Sequence, residues 1–372
     1  MRRKVVWFLM ATLIVAAGCG DDDSDSQAAT TTVAPTITTT TVAPTTVAPT
    51  VAPTTTTEVK KLTIAMFPGS LSSIIPVVAE REGFFQDNGL EIDVIDATSG
   101  PFLVATLLSG DTDIANTPIN VLLPLMDSEG LVAILAGGGA HLNLIRLADA
   151  PPSDWPNANS ADPKERLQDL VGKTVAVVAR GGIVDEYLSR VLEEAGLEAD
   201  EDVYVVATGG AATAIPSLEE NQVDAMVAFT PIEQLLGTPG QDFEYIVNSV
   251  EGELSVFEGR LTDTWTTTQS FIEQEPAMVD QFCRAMLQAA DFLADPANRE
   301  AAVEGVAEAM SLSSQQAEGG YDGFSGLISP ALSRDDWTRQ GEYVNSEEID
   351  MAIFELYLSY VYEPCGSGAV SP

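Results

Sequence analysis

Short apolar runs alternate with amphipathic stretches along this sequence from residue 60 onward. The apolar runs are rich in valine and isoleucine and predict strands at residues 62–66, 91–95, 113–115, 132–136, 174–179, 203–206, 225–229 and 243–247. The stretches between them carry apolar positions at helical spacing, which predicts helices at residues 74–82, 102–108, 120–127, 184–195 and 211–219. This alternation is typical of mostly parallel sheets covered by helices on both faces.

The C-terminal part has a different pattern. From Pro276 onward the periodicity is only helical, at residues 278–293, 301–310 and 347–362, and no strand pattern there is long enough for a third sheet. A chain of 372 residues with 45% hydrophobic composition exceeds one compact core, which predicts two lobes. A connector rich in proline and aspartate at residues 149–163 precedes the second lobe, and we expect the C-terminal helices to cover the first.

The first residues have the features of an export signal. Arg2, Arg3 and Lys4 precede an apolar run at residues 5–17 that is shorter than a membrane span, and Cys19 follows directly after Gly18. This end resembles the bacterial lipoprotein cleavage box. The resemblance implies a signal peptide at residues 1–18, a lipid on Cys19, and an extracytoplasmic protein whose only membrane anchor is that lipid. The alternative is an ordinary secretory peptide in which the cysteine falls by chance.

Residues 19–58 predict a disordered tether. Four aspartates near its start are followed by threonine-rich Val-Ala-Pro-Thr units with few large apolar side chains. Such a segment cannot bury enough surface to fold, so we expect an extended spacer. The formal net charge of the whole chain is −39, and a surface this acidic repels phosphate backbones, which argues against a nucleic-acid partner.

Two cysteines remain in the predicted folded region, Cys283 and Cys365. An exported chain lies where thiols oxidise, so one disulfide between them is possible. Two separately buried thiols are the alternative, and spacing alone does not decide between them.

Five short segments in the expected order resemble one known family. They read VVAEREGFF at residues 77–85, NGLEI at 88–92, LSGDTDIA at 108–115, LVGKTVAV at 170–177 and NQVDA at 221–225. Together they resemble the periplasmic-type substrate-binding proteins of ABC importers for sulfonates, taurine, nitrate and thiamine-pyrimidine precursors. The resemblance spans residues 60–295.

The resemblance implies a two-lobe fold of the type II periplasmic-binding-protein kind. It has two mostly parallel sheets flanked by helices, joined by two hinge crossings that we expect near residues 141–147 and 264–269. Lobe 1 would comprise residues 59–143 and 267–372, and lobe 2 residues 144–266. A monomer of this kind would bind a small molecule between its lobes and deliver it to ABC permease subunits.

Loops at the carboxyl ends of strands are the expected ligand site, because ligands of open parallel sheets bind there. Asn116 and Thr117 look like a helix entry that could hold an anion or be an ordinary cap. Arg180 could contact the ligand beside two glycines or form a surface ion pair, and Asp185 could pair an amine or stabilise its own helix. Phe67, Phe229 and Trp265 could stack on a flat ring or pack internally. The complete predicted set is Phe67, Gly69, Ser70, Ser99, Asn116, Thr117, Arg180, Gly181, Gly182, Asp185, Phe229, Thr230 and Trp265.

Two departures from related patterns narrow these expectations. Sulfonate binders of the family tend to carry serines where this chain has Gly181 and Gly182, which weakens a sulfonate assignment. The fungal and plant pyrimidine synthases that share the fold carry a cysteine-rich iron motif, and here that region reads TDTWTTT at residues 262–268.

Catalytic chemistry has little support in the residue inventory. His141 is the single histidine, which excludes Ser-His and Cys-His pairs and multi-histidine metal sites, and no phosphate-binding or nucleophile-elbow motif occurs. We therefore expect no catalytic residue, no metal and no cofactor. The predicted function is capture of a sulfonate, a nitrate-like anion, a pyrimidine or a related heterocycle for import. A ligand-sensing ectodomain and a pyrimidine-precursor synthase-like enzyme are the alternatives.

Overall fold

The first sheet combines the first four described strands of the chain with the last one. A computed structural model describes residues 59–139, 141–229, 232–254, 256–318, 321, 329–344 and 349–366. The first sheet has the strand order β2-β1-β3-β10-β4, with β10 antiparallel to both of its neighbours and the other strands parallel. Its strands are β1 (Lys60–Met66), β2 (Leu90–Asp96), β3 (Ile114–Pro118), β4 (Leu131–Gly139) and β10 (Leu261–Thr268).

The second sheet repeats this arrangement with the order β7-β6-β8-β5-β9, and here β5 is the antiparallel strand. Its strands are β5 (Leu142–Leu147), β6 (Thr174–Val177), β7 (Tyr204–Ala207), β8 (Ala225–Phe229) and β9 (Phe243–Val247). In each sheet the antiparallel strand is the first that the chain forms after leaving the other sheet. The predicted pair of mostly parallel sheets is therefore confirmed.

The two crossings differ in position from the expectation. Residues 142–147 are not a hinge crossing but the strand β5, and residues 264–268 belong to β10, which is hydrogen-bonded between β3 and β4. The chain instead crosses at residues 140–141 and at residues 248–260, because those segments link strands of different sheets. The lobe limits at residues 143/144 and 266/267 stay a proposal. Because β5 begins the second sheet at Leu142 and β10 returns to the first sheet at Leu261, the sheets favour limits a few residues earlier.

Helices cover both faces of the sheets, and the alternation of apolar positions explains most of them. Two predicted helices are wrong as continuous elements: residues 120–127 form successive short helical turns, and so do residues 349–362, the described part of the helix predicted at 347–362. None of the described helices is long and apolar enough to cross a membrane. The α-helices are α1 (Ile74–Arg81), α2 (Phe84–Asp87), α3 (Gly100–Ser109), α4 (Ile119–Leu122), α5 (Met126–Glu129), α6 (Pro163–Leu167), α7 (Ile183–Glu194), α8 (Ala211–Glu219), α9 (Gln269–Gln274), α10 (Pro276–Ala294), α11 (Arg299–Met310), α12 (Arg334–Arg339), α13 (Ala352–Glu355), α14 (Tyr357–Tyr360) and α15 (Glu363–Gly366).

The C-terminal helices complete the core of the first lobe, as expected. Phe282 on α10 stacks on Phe85 with ring centroids 5.8 Å apart and contacts the fully buried Trp265 edge to face at 5.5 Å. The neighbouring residue Cys283 forms a disulfide with Cys365 of α15, and both are fully buried. This bond ties the end of the described chain to α10, which settles the two alternatives in favour of the bridge.

Candidate functional site

The carboxyl ends of the parallel strands in both sheets lie at one common region. In the first sheet β1, β3 and β4 end at this edge, and the antiparallel β10 begins there. In the second sheet β6, β8 and β9 end at the corresponding edge, and β5 begins there. Only residues 140–141 separate the end of β4 from the start of β5, so the two edges are neighbours. The region between them is called the cleft below.

A buried polar cluster lies on the first-lobe side of the cleft. Asn116, fully buried near the end of β3, donates from Nδ2 to Oδ1 of Asp263 at 2.6 Å. Its Oδ1 accepts from the hydroxyl of Ser72 at 2.8 Å, and Ser72 precedes α1 directly after the β1 loop. Thr262 donates to Oδ2 of Asp263 at 2.9 Å. The cluster therefore joins the end of β3, the start of β10 and the approach to α1.

The carboxyl group of Asp263 has an unusual affinity for its proton. Burial raises the pKa of Asp263 to about 6, and the hydrogen bonds from Asn116, Thr262 and Ser72 oppose this shift without cancelling it. A carboxyl group whose pKa is shifted toward neutral pH in this way is a common feature of functional sites.

Gly137 makes room for this carboxylate. A β-carbon at position 137 would lie 2.4 Å from Nδ2 of Asn116 and closer still to the carboxylate of Asp263, so a side chain cannot stand there without displacing the cluster. Sequence reasoning missed Ser72, Gly137 and Asp263. The signal that could have found them is the run of three glycines at the end of β4, opposite an aspartate in a threonine-rich strand.

The second-lobe side of the cleft is built on the start of α7. Gly181, with a left-handed φ of 71°, donates its N–H to Oδ2 of Asp185 at 2.8 Å, and Gly182 is the N-terminal cap residue of α7. The carbonyl of Gly181 accepts from Nδ2 of Asn120 at 3.1 Å, a direct hydrogen bond between the second lobe and α4 of the first. Oδ1 of Asp185 and Oδ1 of Asn120 are buried, and among the described residues neither has a partner.

Arg180 does not point into the cleft as a free cation. Its guanidinium bonds to both carboxylate oxygens of Asp200, at 2.9 and 2.5 Å, and to the carbonyl of Val205 at 2.9 Å. Nε lies 3.2 Å from Oδ2 of Asp185. The hydrogen bond that Arg180 donates to Asp200, together with the negative charges of Asp185 and Asp200, raises the pKa of Arg180 above its usual value. The structure thus gives Arg180 the surface ion pair that was the alternative interpretation.

The three aromatic candidates have different positions. Phe67 follows β1 at the cleft edge and is partly buried against the core on the α3 face of the first sheet. Phe229 ends β8 and packs against apolar clusters of both lobes, so it lies where the lobes meet. Trp265 is fully buried in the core of the first lobe beside Phe282, which corrects the expectation that it faces the ligand. Its position in the middle of β10 is the reason.

The remaining predicted residues of the first lobe lie either in a strand at the cleft edge of the first sheet or in the loops that follow its strands. Asn116 and Thr117 are not a helix entry, because both lie within β3 and the cap residue of the following four-residue α4 is Pro118. Ser99 caps α3 by accepting from the N–H of Phe102 at 3.3 Å, while Gly69 and Ser70 form the loop after β1. Thr230 lies outside the described residues, as do Cys19, the signal peptide and the tether.

Other surfaces of the described chain are less suited to a solute. Two open depressions of about 560 and 460 Å³ lie beside α11, and Glu300 and Glu304 line both. Neither lies at the end of a strand. In the part of the chain that the structure describes, no group of three histidine, cysteine, aspartate or glutamate side chains is placed to hold a metal ion.

The comparisons agree with this geometry. The sequence model of the NMT1-like family matches residues 55–307. A comparison with curated protein sequences finds no match. Among solved structures, the nitrate-binding protein NrtA of Synechocystis PCC 6803 superposes with a TM-score of 0.62 at 13% identity, covering 84% of this chain and 88% of its own.

Two further structures are similar. The aliphatic sulphonate binding protein SsuA of Escherichia coli gives a TM-score of 0.59 at 17% identity, covering 83% of this chain and 99% of its own. The alkanesulfonate-binding protein SsuA of Xanthomonas axonopodis pv. citri, bound to MOPS, gives 0.57 at 16% identity, covering 84% and 98%. At these identities the likeness shows a shared fold, that of periplasmic binding proteins.

Proposed function

We propose, on the premise that this chain belongs to the NMT1-like family, that it is the extracytoplasmic solute-binding component of an ABC importer. It binds one small molecule in the cleft and delivers it to permease subunits. The solute classes are those expected from the sequence: a sulfonate, a nitrate-like anion, a pyrimidine or a related heterocycle. No catalytic residue, cofactor or metal is assigned, and the protein acts as a monomer.

The observation that carries the proposal is the buried Ser72–Asn116–Asp263 cluster at the carboxyl edge of the first sheet. Burying a carboxylate costs free energy, and the raised pKa of Asp263 shows that its hydrogen bonds offset this cost only in part; the cluster nevertheless lies at the edge where parallel sheets bind ligands. The similar structures from Synechocystis and Escherichia coli are those of a nitrate-binding and a sulphonate-binding protein, which supports solute capture by this fold.

Binding and closure are linked in this arrangement. The Asn120–Gly181 hydrogen bond and the packing of Phe229 against both lobes are contacts that depend on how the two edges approach. A solute that touches both edges gains contacts only in the closed form and therefore shifts the population toward closure. A permease can then distinguish loaded from empty protein by shape.

The location is part of the same proposal. A lipid on Cys19 would anchor the protein to the cell membrane, and residues 20–58 would space the lobes from the surface. Labelling cells with a palmitate analogue tests the anchor: the wild type should carry the label and Cys19→Ser should not.

The central test is a thermal-shift screen followed by uptake. A solute that binds only the native form raises the melting temperature, and calorimetry should then give one site per chain. Asn116→Ala should abolish the shift, whereas Asn88→Ala, at the turn before β2 on the opposite edge of the same sheet, should keep it. Cells lacking the protein should lose uptake of that solute. Binding without any uptake defect would favour the sensory alternative, and turnover of the solute would favour an enzyme.

A further inference from the structure

Three serine hydroxyls at the first-lobe edge of the cleft are already used inside the protein, whereas the buried hydroxyl of Thr117 has no partner among the described residues. The hydroxyl of Ser70 donates to the carbonyl of Phe67 at 2.8 Å, and that of Ser73 donates to the carbonyl of Ser70 at 2.6 Å. Ser72 donates to Asn116, and the amide of Asn116 donates to Asp263. A serine has one hydroxyl hydrogen, so each of these bonds would have to break before the group could serve an anion.

The cations that flank strands at this edge are neutralised as well. Arg180, after β6, is bound to Asp185 and Asp200. Arg260, just before β10, is almost fully buried and donates from both terminal nitrogens to Glu186 at 2.8 and 2.7 Å. In the described chain both arginine charges are therefore neutralised by ion pairs, while Nε of Arg260 is buried without a hydrogen-bond partner.

The favourable place for an anion at α7 is also occupied. Asp185 lies in the first turn of this twelve-residue helix and accepts the N–H of Gly181. Its carboxylate thus takes the position at the positive end of the helix dipole that a ligand anion would otherwise take. A second negative group there would meet like-charge repulsion.

Hydrogen-bond acceptors without a partner remain at both edges of the cleft. Oδ1 of Asp185 and Oδ1 of Asn120 are buried without a partner among the described residues, and they come from opposite lobes. The carboxylate of Asp263 accepts from Asn116 and Thr262 and also interacts with the hydroxyl of Ser72, while a carboxylate has roughly four acceptor positions. Thr262 also lies within 3.1 Å of the carbonyl of Gly138, so its single hydrogen is shared between two acceptors.

We propose that the cleft selects a solute that donates hydrogen bonds, such as an amine, an amidine or an amino-substituted ring, over a sulfonate, carboxylate or nitrate. This inference rests on the proposed function and narrows its solute class. An N–H-bearing solute satisfies acceptors that are costly to leave unpaired. An anion would meet a carboxylate at each edge, where the serine donors and the arginine charges are already paired. Phe67, after β1, and Phe229, at the end of β8, lie at strand ends of the same two edges and offer apolar surface for the rest of the solute.

Matched pairs of probes test the proposal on the full-length protein. The members of each pair share a phenyl ring: benzamidine is paired with benzenesulfonate, and benzylamine with benzoate. A wider panel of amino-substituted heterocycles and alkanesulfonates accompanies them. Thermal shift ranks the probes, and calorimetry gives the affinity of every probe that shifts. We expect members with N–H donors to bind and their anionic partners to bind at least tenfold more weakly.

A pair of isosteric variants assigns the selectivity to the cleft. Asp263→Asn should weaken the donor probes about tenfold, as expected for losing one charged hydrogen bond, and should not weaken the anions. Asp113→Asn is the control, because Asp113 is another partly buried carboxylate with a raised pKa in the same sheet, but at the opposite edge, where it accepts the N–H of Thr63. That variant should leave all affinities unchanged.

Three outcomes overturn the inference, and the first two differ in what they mean for the proposed function. Anions that bind one per chain, lose affinity in Asn116→Ala and tolerate Asp263→Asn would refute donor selectivity while keeping solute capture. No binding by either class across the panel would refute both. Donor probes that lose equal affinity in the Asp263 and Asp113 variants would also refute the assignment, because the effect would then be general destabilisation.

Discussion

Gly137 lies directly against the carboxylate of Asp263, and a β-carbon at this glycine would come within 1.7 Å of Oδ1. The two residues belong to neighbouring antiparallel strands, β4 and β10, whose register is irregular at this point. The absence of a side chain on one strand thus lets the other strand place a charged group inside the lobe. The position of the cluster at the cleft depends on this pair.

Replacing Gly137 by alanine should remove solute binding. The added methyl group cannot coexist with Asp263 in its present position, so the carboxylate and Asn116 must both move. We expect at least a tenfold loss of affinity by calorimetry and a loss of about 1–3 kcal/mol in the free energy of unfolding by urea denaturation.

Gly138→Ala is the matched control on the next residue. A β-carbon there would meet the hydroxyl of Thr262 at 3.2 Å, a contact that a small shift relieves. Its affinity should stay within about threefold of the wild type by the same measurement. Equal losses in the two variants would show that this end of β4 matters for folding and not for the site.

Asp263 should make the stability of the protein depend on pH. Burial raises its pKa from 3.8 to about 6, so the folded state holds this proton more tightly than the unfolded chain does. Stability that is present below pH 4 is therefore lost as the pH rises through 6, by about 2–3 kcal/mol. Asp263→Asn lacks this loss, so its advantage over the wild type should grow between pH 4 and pH 7.

Urea denaturation of both proteins across that range measures the difference. Other carboxylates contribute equally to the two curves and cancel when they are subtracted. Parallel curves would mean that Asp263 keeps an ordinary pKa in the folded protein.

Arg180→Ala should leave the affinity for the identified solute within about threefold of the wild type, because its guanidinium already pairs with Asp185 and Asp200. Asn116→Ala, by contrast, removes the donor that orients Asp263 and should cost at least tenfold. Titration of both variants with the same solute makes the comparison. A large loss in the arginine variant alone would restore Arg180 as a ligand contact.

The disulfide should contribute to stability without contributing to the site. Cys283 and Cys365 are 82 residues apart in sequence, so their bond restricts the unfolded chain considerably. The double variant Cys283→Ser with Cys365→Ser should lose about 2–5 kcal/mol of unfolding free energy and keep its solute affinity. Thiol labelling of the denatured, unreduced protein checks the premise, since it should find neither of these two cysteines free.

The sequence alone determined most of the fold. Residues 62–66, 174–179 and 225–229 were identified as strands because each is a run of β-branched or aliphatic residues between polar breaks, and such local patterns report burial directly. The helix at 184–195 followed from a single apolar stripe, and the observed α7 buries that stripe. The family segments then ordered these elements into two lobes.

Tertiary structure decided the role of the crossing segments and of the polar residues. The sequence predicts a hinge crossing at residues 264–269, most of which belong to β10. This strand lacks a plain apolar pattern because its residues meet different surroundings: Trp265 enters the core, while Asp263 meets Asn116. The sequence leaves a ligand contact and an ion pair open for Arg180. The structure decides for the ion pair, because it brings Asp200, twenty residues later in the chain, beside the guanidinium. The periodicity of apolar side chains along an element reports which face is buried. Whether a polar group meets a ligand or a protein partner depends instead on contacts between residues distant in sequence, such as Ser72, Gly137 and Asp263. Only the folded chain brings these residues together.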